Sequence, residues 1–369
     1  MRVPLADLRA QYTELKAEID SGIAAVLESG NYIDGENVTR LEQQVAEICG
    51  ASHGIGVASG TDALVLSLVA CGVKPGDEVI TTPFTFGATT EAIALVGARA
   101  VYVDIDLCTY NLDITSIESA VTPKTTAILP VDLFGQMADR SVLHEVAQQH
   151  NLKVIADAAQ AIGAKQGNRP VASDTDATTL SFYPTKNLGA CGDAGMVLMH
   201  DADLAARVRS LHAHGQSSYG YFERVGYCSR LDTLQAVILM AKLPHLEKWN
   251  AARRAHAALY NELLAGCPVG LPGEEANNYH IYHQYTVRYA DRDGLQSFLR
   301  SQGIDSKVFY PHAMHLQPAY SNLGYHEGDF PAAERAAKEV LSIPIVPELT
   351  DEQIAFTAAQ IRTYVEAKH

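Results

Sequence analysis

The feature that most constrains this chain is an alternation. Between residues 54 and 199 seven short, nearly continuous apolar runs recur: Gly54–Ala58, Glu78–Thr81, Ala100–Val103, Ala127–Val131, Lys153–Asp157, Thr178–Phe182 and Gly195–Met199. Helix-like stretches separate most of them, at Gly60–Cys71, Gly87–Val96, Ile114–Ala120 and Ser141–His150. Strands apolar on both faces must be covered on both faces, and intervening helices supply the covers. The pattern predicts an α/β fold built on a mostly parallel seven-stranded sheet. Two helices are expected before it. One lies within residues 7–29, where Leu8, Tyr12, Leu15, Ile19, Ile23 and Val26 recur at helical spacing before Gly30; the other spans Glu36–Cys49.

The rhythm changes after about residue 200. A long helical stretch over Thr233–Leu264 carries Pro244, where a kink is expected. The segment Gly266–Asn278 is rich in turn residues. Beyond it a strand is expected over Ile281–Tyr289, with helices over Gly294–Ser301 and Ala332–Val340. The sequence therefore divides into a large α/β domain, 1–245, including the N-terminal helices, and a smaller C-terminal α+β domain, 246–369. At roughly 150 residues per domain, 369 residues suit such a pair.

Charge narrows the function. The chain has 28 Lys+Arg against 43 Asp+Glu, a formal net charge of −15. Nucleic acids and anionic membrane surfaces attract positive proteins, so neither is an expected partner. The apolar stretch Ala92–Val103 is interrupted by Gly97 and Arg99 and is too short to span a bilayer. Met1–Gln11, with Arg2, Asp7 and Arg9, has no apolar core of a secretion signal. The six cysteines lie far apart with no Cys-x-x-Cys pair, which fits reduced thiols in a cytoplasmic enzyme.

Open α/β sheets bind ligands beyond the carboxyl ends of their strands. The first run leads into Ser59-Gly60-Thr61-Asp62-Ala63 and a helix. Such a turn is either a plain connection or a phosphate cup of free N–H groups. Gly54-Ile55-Gly56-Val57-Ala58-Ser59-Gly60 resembles a dinucleotide loop only superficially, because its first glycines lie inside the strand. The fifth run ends in Asp157, which could cap a helix or hold a cationic ring nitrogen. The sixth leads through Ser181-Phe182-Tyr183-Pro184-Thr185 to Lys186. Desolvation in that apolar setting would lower the amine pKa and favour a Schiff-base nucleophile. A phosphate cup, an acid and an activated lysine are together what pyridoxal 5'-phosphate requires.

Four ordered motifs resemble the DegT/StrS family of sugar-nucleotide aminotransferases, of the aspartate-aminotransferase fold type. They are Ser59-Gly60-Thr61-Asp62-Ala63-Leu64, Asp157-Ala158-Ala159-Gln160, Ser181-Phe182-x-x-x-Lys186, and Gly226-x-x-x-Arg230-Leu231-Asp232-x-x-Gln235-Ala236. The resemblance runs from Val3-Pro4-Leu5 to Tyr310-Pro311 and implies pyridoxal phosphate as cofactor. It implies that Lys186 forms the Schiff base and Asp157 pairs with the pyridinium nitrogen. Gln160 would bond the ring's phenolic oxygen and Phe86 would stack on the ring. Gly60, Thr61 and Ser181 would hold the phosphate, while Tyr32, Thr185, Arg230 and Tyr310 match substrate-side positions.

Cys228 stands where the family usually has an Asn that reaches the phosphate in the neighbouring subunit, and a thiol is a weaker donor. The implied assembly is a homodimer with shared sites. The implied reaction moves an amino group from L-glutamate to a nucleotide-linked keto-sugar, 3-keto and dTDP- or UDP-linked. Amination at C4 of a 4-keto-6-deoxy sugar and a non-catalytic regulatory paralogue are the alternatives. A dehydratase branch that replaces the lysine by His is opposed by Lys186, and a silent binder would be expected to lose Lys186 or Asp157. Phe309 stands where the glucuronate enzymes have a His, which argues for a 6-deoxy sugar as much as a uronate.

No metal is assigned. His144 and His150 are six residues apart, unlike a His-Glu-x-x-His zinc site. His212 and His214 are expected at a helix end, opposing its dipole, and His312 and His315 on the rim of the substrate loop.

Overall fold

The computed structural model, which describes residues 1–368, gathers the seven runs into one sheet. Its strands are β1 (His53–Val57), β2 (Glu78–Thr81), β3 (Arg99–Tyr102), β4 (Thr125–Ile128), β5 (Lys153–Asp157), β6 (Ala177–Ser181) and β7 (Gly195–Met199). They lie in the order β1-β7-β6-β5-β4-β2-β3. Only β7 runs against its neighbours, β1 and β6; the remaining pairs are parallel. The carboxyl ends of the other six strands therefore open on one edge.

Burial follows the two-residue period of a strand covered on both sides. Along β7, Val197 and Met199 join a core with Leu64, Leu66 and Leu68 of the Gly60–Ala70 helix. Met196 and Leu198 join the opposite core with Leu41 and Val45 of the Glu36–Cys49 helix. The expected sheet is present, with every strand within two residues of its predicted start.

The helices needed more correction. The stretch 7–29 is two helices, Leu8–Glu14 and Lys16–Ser29. Residues 114–120 form two single 3₁₀ turns, Ile114–Ser116 and Glu118–Ala120, instead of an α-helix. The long stretch is divided at a 3₁₀ turn, Leu243–His245, into helices Thr233–Lys242 and Leu246–Leu263, because Pro244 has no N–H to continue the ladder. Only Tyr285–Arg288 of the expected Ile281–Tyr289 strand is paired, antiparallel to Val340–Ile343. A helix over Asp351–Glu366 was not anticipated; it packs Ile354 and Ile361 into a third core with Tyr260, Tyr285 and Leu341. Among the described residues no helix is long and apolar enough to cross a membrane.

The C-terminal segments are tied to the sheet where they approach its carboxyl edge. Asp104, just beyond β3, accepts from Ala332 N and Ala333 N, both at 2.9 Å, at the start of the Pro331–Glu339 helix. Met314 N donates to the Pro83 carbonyl at 2.7 Å. These bonds hold the segment that carries Tyr310 over the sheet edge. Asp104→Ala removes a carboxylate from two helix-terminal donors, and we expect a loss of about 1–2 kcal/mol in a denaturant titration. An unchanged midpoint would show that the helix needs no such cap.

Candidate active site

The site begins where β1 turns directly into a helix. Ser59 caps the Gly60–Ala70 helix, its hydroxyl accepting from Asp62 N at 3.0 Å. The N–H groups of Gly60 and Thr61 bond to no carbonyl among the described residues, and the helix dipole points its positive end there. The turn is closely walled. A Cβ on Gly60 would stand 2.7 Å from Cβ of Ser181, and one on Gly195 only 2.4 Å from the Ser59 carbonyl oxygen. The ends of β1 and β6 and the start of β7 therefore form one cradle, with the Ser181 hydroxyl on its wall. Two free N–H groups and a hydroxyl at a helix N-terminus suit a phosphate.

Asp157 closes β5, beside β6. Its buried carboxylate accepts from Thr89 Oγ1 at 2.8 Å and from Ala159 N at 3.2 Å. Burial pushes its pKa up, while those two bonds and the positive charge of Lys186 act against that shift. Lys186 lies in the turn after β6, with its N–H bonded to the Tyr183 carbonyl at 2.8 Å. Loss of solvent lowers its amine pKa to about 8, against the opposing pull of Asp157. At pH 7 about 9% of such an amine is neutral, against about 0.03% at the ordinary lysine pKa.

Phe86 immediately precedes the Gly87–Leu95 helix and is 61% exposed, so it is not a core residue. Its ring faces that of Tyr310 with centroids 6.0 Å apart. Tyr310 in turn accepts a hydrogen bond from Gln160 Nε2 at 3.0 Å, and Gln160 Oε1 accepts from Phe134 N at 2.8 Å. Burial pushes the Tyr310 phenol up, so it remains protonated at neutral pH. The donor expected for a ring oxygen is thus already engaged on Tyr310. An amide nitrogen has a second hydrogen to offer.

The structure brings together Gly60, Thr61, Phe86, Asp157, Gln160, Ser181, Lys186 and Tyr310 along the sheet edge, with Thr185 exposed beside Lys186. Tyr32, Cys228 and Arg230 form a separate group. The Tyr32 carbonyl accepts from Thr233 N, and Ile33 bridges Asp232. Arg230 Nη2 donates to the sulfur of exposed Cys228 at 3.2 Å. Ser229 connects the two groups, donating to Asp62 Oδ2 at 2.8 Å in the first turn of the cradle helix.

Two histidine expectations are corrected. His315 is buried, not on the rim, with Nε2 3.1 Å from Glu334 Oε1; only His312 is exposed. His212 is also buried, and desolvation lowers its pKa to about 4, so it brings no charge to the helix end. Sequence reasoning missed Thr89, whose signal was a hydroxyl one helical turn after Thr85, itself 2.8 Å away. It also missed Asn187, Asn250 and His283, which meet behind Lys186.

The family model described as the DegT/DnrJ/EryC1/StrS aminotransferase family matches residues 13–362. The chain belongs to that family. Among its relatives is a Geobacillus stearothermophilus protein named pleiotropic regulatory protein, 49% identical over 99% of both chains. Another is UDP-N-acetyl-3-dehydro-alpha-D-glucosamine 3-aminotransferase of Acidithiobacillus ferrooxidans, 45% identical over 98% of this chain and 97% of that one. The fold superimposes on S. venezuelae DesV, solved with a ketimine intermediate, with a TM-score of 0.97, 42% identity and 99% coverage of both chains.

The cofactor of the family is pyridoxal 5'-phosphate, and the donor set fits it: a walled phosphate cradle, a buried acid, an exposed ring and a desolvated amine. When bound it supplies an aldehyde to capture amines and a ring to withdraw electrons. Gly60→Ala should therefore weaken uptake of pyridoxal phosphate at least about tenfold, read by titration of the cofactor-free protein, since the new methyl would meet Ser181. In the same cofactor-free protein, the acylation rate of Lys186 should rise through a midpoint near pH 8, because only the neutral amine reacts. A midpoint equal to that of surface lysines would contradict the burial of this amine.

Proposed function

We propose that the protein transfers the amino group of L-glutamate to the ketone of a nucleotide-linked keto-sugar. The observation that carries this reading is the meeting of Asp157 and Lys186 at the ends of adjacent strands, beside a phosphate cradle and under an exposed Phe86. Gly60 N–H, Thr61 N–H and the Ser181 hydroxyl would hold the phosphate. Asp157 would accept from the ring nitrogen and keep it protonated. Phe86 would cover one ring face and exclude water from it. Nζ of Lys186, neutral in useful amount near pH 7, would take the proton from the donor α-carbon and deliver it to the cofactor carbon that had been the aldehyde, the net proton shift that transamination requires. Both substrates use one site in turn, so ping-pong kinetics follow.

The substrate side draws on Tyr32, Thr185, Arg230 and Tyr310. We place the amination at C3, which the name of the 45% identical relative supports. The planar fork of Arg230 suits a carboxylate or phosphate oxygen. The site draws on residues of the first proposed domain, 1–245, and on Tyr310 of the second, 246–369. The six free cysteines support a reducing, cytoplasmic setting.

We propose further that two copies share their sites. The short hairpin Gln216–Ser218 and Tyr221–Phe222 projects an apolar surface that one chain leaves uncovered. Tyr219 and Val225 are 102% and 93% exposed, and Tyr221, Phe222 and Tyr227 lie on the same segment. Cys228 follows directly, so a partner seated there would receive its thiol, a weak donor, at its phosphate.

The regulatory name of the 49% identical relative supports a second reading, a silent binder. The presence of Lys186 and Asp157 supports the enzyme. Addition of L-glutamate should bleach the visible band of the cofactor-loaded protein; a band indifferent to every amino donor would favour the binder. Borohydride should label Lys186, and Lys186→Ala should abolish labelling without unfolding. Asp157→Asn should keep the cofactor but lose about 100-fold or more in turnover. A fully active monomer at assay concentration would refute shared sites. Cys228→Asn should tighten phosphate retention by about 1 kcal/mol. Amination from a panel of dTDP- and UDP-linked keto-sugars should place nitrogen on C3 by NMR, and a C4 product would reject that position alone.

A further inference from the structure

Lys186 is followed by Asn187, whose buried side chain has a hydrogen-bond partner at each end. Its Nδ2 donates to Asn250 Oδ1 at 2.7 Å and, at 3.4 Å, to the Ile281 carbonyl. Asn250, on the Leu246–Leu263 helix, donates from its own Nδ2 to the Ile162 carbonyl at 3.1 Å. The two carbonyls can only accept, so the direction of the chain is set at both amides. Asn187 Oδ1 is then left as an acceptor, 2.9 Å from Nδ1 of His283. That nitrogen must carry the ring proton.

The surroundings keep the ring uncharged. His283 is buried, and the charged groups it feels are Lys186 and Arg253, both cationic. Arg253 donates to the carbonyls of Tyr282 and His283 at 3.3 and 3.2 Å. Burial and the two cations hold the imidazole well below its usual pKa. Among the described residues no carboxylate bonds to the ring.

The chain of bonds joins four segments: the loop after Asp157 through Ile162, the Lys186 turn through Asn187, the helix after Pro244 through Asn250, and the start of the C-terminal strand through His283. Lys242 Nζ holds the other side of the turn, donating to the Gly189 carbonyl at 2.6 Å. Acid and amine are thereby referred to one frame.

We propose that His283 is a positioning residue for the reaction: as a neutral imidazole donating from Nδ1 to Asn187, it fixes the turn that presents Lys186. The proposal rests on Lys186 being the reacting amine, which borohydride labelling tests separately.

Asparagine and glutamine at position 283 separate the two ring nitrogens, since the Asn amide nitrogen falls near Nδ1 and that of Gln near Nε2. His283→Asn should keep kcat, and the rate at which cofactor-stripped protein takes up pyridoxal phosphate, within about threefold of the parent. His283→Gln should lose at least about tenfold in both, because it leaves Asn187 Oδ1 buried without its donor. Equal behaviour of the two variants, whether unimpaired or equally impaired, would overturn the proposal. Should both variants fail to fold, ¹⁵N-histidine NMR of the parent holoenzyme decides. The expected result is a proton on Nδ1 and none on Nε2, unchanged between about pH 5.5 and 8. A ring protonated on Nε2, or one that titrates in that range, would overturn it. Borohydride labelling of a lysine other than Lys186 would instead remove the premise.

Discussion

Everything at the site follows from keeping a carboxylate and an amine of opposite charge away from water at the end of one sheet. Burial alone would neutralise both, raising Asp157 and lowering Lys186. Each is held back by the other's charge, and Asp157 also by Thr89 and the Ala159 N–H. The result is asymmetric. Asp157 is hydrogen-bonded and fit to hold a proton on a ring nitrogen, while Lys186 is left with a pKa of about 8, near the range in which a base can both take and return a proton. Parallel pairing of β5 and β6 makes this possible, because it brings the two carboxyl ends side by side and leaves only the short turn after β6 to present the amine.

The parts that positioned these groups were legible where the signal is local. Apolar runs with no polar face can only be interior strands, so all seven could be read, and Gly60, Asp157, Ser181 and Lys186 could be placed at their ends. Phe86, which the resemblance implies would stack on the ring, is exposed and free of the core. Pro244 marked a true break. The helix Asp351–Glu366 carried a legible sign that was passed over, the capping box from Thr350 to Gln353. The 3₁₀ turns at 114–120 illustrate the opposite failure, since a seven-residue stretch has too few turns for periodicity to distinguish helix types.

What stayed hidden is long-range. Asn187 meets Asn250 and His283 across 63 and 96 residues of sequence, and nothing local in any of them announces the meeting. The same holds for His315, whose position near Tyr310 suggested a rim residue although Glu334 holds it inside. Polar residues in apolar surroundings are costly unless paired, so their partners define the fold as tightly as the apolar contacts do. Single-sequence patterns record that a residue is polar but not which distant group satisfies it.

Tyr310 shows how the C-terminal segments enter the chemistry. It reaches the sheet edge from a segment anchored by Met314 on Pro83 and by Asp104 on the Pro331–Glu339 helix, and it bonds Gln160 three residues beyond Asp157. Its ring also meets Phe86, so the exposed aromatic and the amide donor touch the same residue. A displacement of this segment would therefore change the ring face and the hydrogen-bond donor together. His283 enters from the same part of the chain but acts on the other side, behind the Lys186 turn. The C-terminal segments thus touch both the face of the site that receives ligand and the frame that aims the amine. The orientation of these segments is consequently a property of the active site as much as of the fold.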